Sequence, residues 1–118
     1  MNGSFDRSAR LEGEAGSVSG VTTDAYVTIV TWPCRPFGVG KNILIACDHA
    51  SNDLDYKILG YVKSGSALPV EVFSETTLTH GTQQPLSVDE RYDEIKVQVK
   101  SSSAGNASSY QVDYVGGL

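Results

Sequence analysis

The chain has 118 residues, one ordinary domain's worth, and nine Lys and Arg against fourteen Asp and Glu give it a formal net charge of −5. Apolar residues make up 40% and charged residues 19%, too apolar a balance for a disordered chain. The acidic excess, without a basic run anywhere, argues against a nucleic-acid surface, and the longest apolar run, Ile43 to Cys47, is far short of the ~20 residues of a membrane helix.

Residues 1–22 are rich in Gly and Ser, with Phe5, Leu11, Val18 and Val21 as the only anchors. The stretch reads as an extended arm or a disordered tail outside the core, and Val18 to Thr22 could add a strand to another chain's sheet edge. Residues 1–15 contain no apolar segment of the kind that directs export, so Cys34 and Cys47 are expected as reduced thiols of a product made in the cytoplasm. From residue 24 the pattern has period two. Tyr26 to Trp32 is β-branched and aromatic and predicts a strand ended by Pro33 and Pro36. Asn42 to Asp48 is a second. Leu54, Tyr56, Ile58 and Val62 alternate with polar and mixed positions to form a third, longer strand, and Ser64-Gly65-Ser66 turns the chain. Val70, Val72 and Ser74 are expected on one face of the fourth, with Glu71, Phe73 and Glu75 opposite. Leu86 and Val88 suggest a short fifth strand. Ile95, Val97 and Val99 against Glu94, Lys96, Gln98 and Lys100 make the clearest half-buried strand, and Tyr110, Val112 and Tyr114 the last.

No segment carries a helical period. The expected fold is therefore all-β: a single β-sandwich or jelly-roll-like domain over residues 23–118, of about seven to eight short antiparallel strands, with the arm over 1–22.

Chemistry is sparse. His49 and His80 are the only histidines, and neither sits in a nucleophile–base motif. The oxygen-rich loop 48–55 departs from calcium-binding spacing, and two Cys with two His match no zinc framework. Gly38-Val39-Gly40-Lys41 lacks the Ser/Thr and the helix of a phosphate loop. No enzyme, cofactor or metal is expected. Trp32 and Phe37, in a loop stiffened by two prolines, cap the core, anchor an interface or offer a sugar platform with Tyr26, Tyr56 and Tyr61. The acidic run Asp89, Glu90, Asp93 and Glu94 is a solvated approach to a strand or the meeting point for a basic partner.

The segments Leu54 to Tyr61, Thr76 to Gly81, Tyr92 to Ser101 and Gly105 to Gly117 together resemble small all-β virion structural proteins of tailed bacteriophages. The resemblance is one of alternation and turn placement, over half to two thirds of the chain. It implies a jelly-roll-like sandwich that works by binding: a capsid decoration or cement protein bridging major capsid subunits, or a neck or tail component, in a virion assembled in the host cytoplasm. A homo-oligomer, a trimer in the first instance, is expected, with no nucleic acid or membrane partner. A carbohydrate-binding module is the further alternative. The contact candidates are Val18, Val21, Trp32, Phe37, Asp89, Glu90, Asp93 and Glu94.

Overall fold

A computed structural model describes residues 15–34 and 40–116. Eight strands follow one another: β1 (Ala15–Val21), β2 (Val27–Pro33), β3 (Lys41–Cys47), β4 (Leu54–Tyr61), β5 (Val70–Leu78), β6 (Thr82–Val88), β7 (Glu94–Ser101) and β8 (Ser109–Gly116). Sheet I has the order β1-β8-β3-β6 and sheet II the order β2-β7-β4-β5. All pairings are antiparallel. β4 pairs with β5, β3 with β6, β2 with β7 and β1 with β8, so the chain is one long hairpin rolled up into two layers. That connectivity is the jelly roll, and it bears out the all-β sandwich read from the alternation.

The arm reading needs correction over its second half. Residues 15–21 are β1, in register with β8 from Ala15–Val115 to Val21–Ser109, and Thr22 is buried, with its amide donating to Ser108 O at 2.9 Å. Residues 1–14 lie outside the described residues. The misreading has a physical cause. Gly16 and Gly20 face inward, and a Cβ on either would collide with the ring of Tyr114 or Tyr110 from the neighbouring strand. The tyrosines supply the apolar surface of this edge, and β1 need only make room for them. A strand whose core contribution is made by its neighbour looks like a linker in sequence.

The inner faces carry Ile43, Ile45, Leu86, Val88 and Val112 from sheet I and Val30, Trp32, Leu54, Tyr56, Ile58, Ile95, Val97 and Val99 from sheet II, all buried. Trp32 of β2 and Tyr114 of β8 meet between the layers, with ring centroids 4.9 Å apart and planes tilted by 52°.

Two strands depart from simple alternation. β4 is buried at seven of its eight positions. It is a central strand, and its outward Asp55, Leu59 and Tyr61 are roofed by long side chains of neighbouring strands. Lys100 Nζ lies 3.3 Å from Asp55 Oδ2, and Lys96 Nζ 5.1 Å from the centroid of Tyr61. Val62 falls beyond the strand and is exposed, contrary to the alternation that included it in the strand. In β5 the register against β4 shifts on either side of Ile58, which brings Phe73 opposite Ile58. Both Val72 and Phe73 then pack on the core, where the sequence pattern had put them on opposite faces. The extra residue of a bulge resets the two-residue period.

Candidate contact surfaces

One end of the sandwich is built from the loop 62–69, between β4 and β5, and the loop 89–93, between β6 and β7. Asp93 holds them together. Its Oδ2 accepts the Ser64 amide at 2.8 Å, its own amide donates to Tyr61 O at 2.9 Å, and its carbonyl accepts the Cys34 amide at 2.9 Å. Ser64 Oγ donates to Glu94 Oε2 at 3.3 Å, and the Leu68 amide donates to Ser66 Oγ at 3.1 Å. On this pinned loop Val62 and Leu68 are 75% and 79% exposed, and Val70 just beyond it 43%. An apolar group held in place in the free protein loses little further freedom on contact. Asp89 and Glu90, in the loop that Asp93 closes, are exposed as well.

The sequence-derived contact residues divide. Val18 points inward and packs against the core, half-buried. Val21 stands on the outer face at the end of β1, 67% exposed. Trp32, 1% exposed, is core and offers no surface to a partner. Phe37 lies outside the described residues. Asp89 and Glu90 remain open, whereas Asp93 and Glu94 are spent on pinning the 62–69 loop. Val62, Leu68 and Val70 were missed. The only sequence signal for them is that Leu68-Pro69 stands in a turn region with no alternating partner.

The sugar platform does not assemble. Trp32 and Tyr56 are buried inside, and Tyr61 is buried under Lys96. Tyr26 lies beneath Lys57, whose Nζ is 4.4 Å from its ring centroid, and donates from Oη to Glu75 Oε2 at 2.6 Å. That bond, with burial the larger cause, holds the phenol protonated well above its usual range.

The opposite end is polar. His49 Nδ1 accepts the amides of Ser51 and Asn52 at 3.1 and 2.9 Å and so shapes its own loop. Cys47 is buried with Sγ 3.1 Å from Ser108 Oγ, so the thiol belongs to a structural cluster. Asp53 Oδ1 contacts both the amide and Nδ1 of His80, at 2.9 and 2.7 Å, which lowers the carboxyl pKa. A polar cavity of 190 Å³ lies beside it, lined by Ser51, Asn52, Asp53, Ser103 and Asn106. Among the described residues no group of three His, Cys, Asp or Glu could hold a metal ion. Lys41 is buried at the start of β3. Burial lowers its pKa, against the opposing pull of Cys34, Asp89 and Glu90.

No protein-family model matches the chain, and no curated protein does. Solved structures share the fold. PirA aligns with a TM-score of 0.64 at 9% identity, covering 83% of this chain and 92% of its own. A protein of the disulfide-linked pili that form Bacillus endospore appendages aligns at 0.58 and 13%, over 89% and 86%. The Yersinia pseudotuberculosis-derived mitogen aligns at 0.53 and 11%, over 87% and 86%. At these identities the likeness concerns the fold.

Proposed function

We propose that this protein is a structural component of a bacteriophage virion, of the capsid decoration or cement kind, and that it acts by binding. The observation that carries the reading is the pinned loop that exposes Val62 and Leu68 at the end of the sandwich where Asp89 and Glu90 are exposed too. Such an end suits a contact in which an apolar centre docks and acidic groups at its margin meet basic residues of the major capsid protein. A jelly roll is a rigid support for it, and the pilus protein is an instance of the fold in an assembled appendage. The resemblance of the alternation pattern to phage virion proteins supplies the virion setting.

Each copy need bind only modestly, because a second contact on the same lattice becomes intramolecular once the first is made. The test is binding to purified capsids that lack the protein. Leu68→Lys is expected to lower occupancy at least about tenfold, and raising the salt should weaken binding by the native chain through screening at Asp89 and Glu90. Unchanged occupancy of Leu68→Lys overturns the assignment of this end. Particle images reporting hundreds of copies support the capsid, and about a dozen or fewer place the chain at the neck or tail.

A further inference from the structure

The four sheet edges are not equally protected. β2 is bulged between Thr28 and Val30. β5 meets β4 through two register shifts. β6 carries Pro85 in mid-strand. Each device discourages a further strand from adding. β1 has none of them. Its register with β8 is unbroken from Ala15 to Val21, it contains neither proline nor a charged residue, and among the described residues it pairs on one side only.

The sequence of this edge has a second property. Gly16-Ser17-Val18-Ser19-Gly20 reads the same in both directions. An antiparallel partner of identical sequence, related by a two-fold axis at Val18, sets Val18 against Val18, Ser17 against Ser19 and Gly16 against Gly20. Every position from 16 to 20 then faces a residue of its own kind, on both faces of the sheet, and only the terminal Ala15 and Val21 are unlike. We propose that β1 is a homotypic edge, at which a second copy of this chain adds and joins the two four-stranded sheets into one of eight strands.

Electrostatics favours this edge over others for self-contact. A chain of net charge −5 repels its copies, but the side chains of β1 contribute nothing to that repulsion at contact distance. The inner side of the edge is not hollow, since the rings of Tyr114 and Tyr110 lie over Gly16 and Gly20. The contact is isologous and closes at two copies, so it yields a dimer where the sequence suggested a trimer. It rests on β1 alone and stands apart from the virion reading.

The test is sedimentation equilibrium of the full chain, by itself, from low to high micromolar concentration. The native chain is expected to show a reversible monomer–dimer equilibrium. In Ser17→Lys/Ser19→Lys, lysine faces lysine across the axis twice, and the dissociation constant should rise about tenfold or more. In Ser17→Lys/Ser19→Glu the same positions face opposite charges, and association should return to within about threefold of native. Both variants change exposed outer-face residues, and Lys at 17 can pair with Asp113, which Ser17 now contacts. Circular dichroism checks that each remains folded. A native chain that stays monomeric throughout, a lysine pair that associates like the native chain, or two variants that lose association alike would each overturn the proposal.

Discussion

The outer faces of the two sheets present opposite chemistry. On sheet II, Asp55, Lys57, Glu75, Lys96 and Lys100 cross over one another and over aromatic rings. Thr77 Oγ1 donates to Asp55 Oδ1 at 2.7 Å, Lys100 reaches the same carboxylate, and Lys57 and Lys100 both lie over Tyr26. On sheet I, the outward positions of β1, β8, β3 and β6 are small or neutral, and Asp113 is the one charged side chain among those described. A shallow hollow of 450 Å³ opens there between Leu44, Pro85, Val115 and their neighbours. One face is thus closed by its own long side chains, and the other is left bare next to an unguarded edge. Depletion of charge marks the centre of contact surfaces, so the comparison separates a face that is finished from one that can accept something.

The largest way to break that comparison is to cut what joins the layers. Trp32→Ala should cost about 3–5 kcal/mol in urea unfolding, because it empties the site between the sheets that Tyr114 shares. Next is a matched pair of carboxylate deletions. Asp55→Ala strands a half-buried ammonium and a hydroxyl and should cost about 1–3 kcal/mol. Asp113→Ala, on the bare face, should stay within about 0.5 kcal/mol. Equal costs for the two would show that the faces differ in appearance only. Tyr26→Phe, which deletes the hydroxyl bonded to Glu75, should cost about 0.5–1.5 kcal/mol.

The smallest effect lies off both faces, at Asp53. Its carboxyl titrates below the unfolded value of 3.8 because the amide and ring of His80 favour the anion. The unfolded state therefore takes up the proton first. The stability from this group is complete above the unfolded pKa and disappears as pH falls through the lower native value. Thermal melting between pH 5 and pH 2 should show a shallower acid-side decline in Asp53→Asn than in the native chain.

The β7 and β8 alternation was plain in the sequence because each strand keeps one face wet, and the pattern records that difference residue by residue. β4 was legible as a strand and not as a doubly buried one, since Lys96 and Lys100, which roof it, are about forty residues away. Of the exposed residues that the proposed contacts would use, Asp89, Glu90 and Val21 were named from the sequence. Val62 and Leu68 were not, because exposure of an apolar residue depends on where a strand stops, and β4 stops at Tyr61.

By itself the sequence determined that the chain is all-β, where most turns fall, and that no familiar catalytic or metal motif is spelled out. These follow from local period and residue type, which a single strand carries alone. Only the tertiary structure decided that Ala15–Val21 belongs to the sandwich, that Trp32 is core, that Asp93 and Glu94 fasten a loop, and which edge is left open. Those are properties of pairs of residues far apart in the chain, and a pair exists only once the layers have closed.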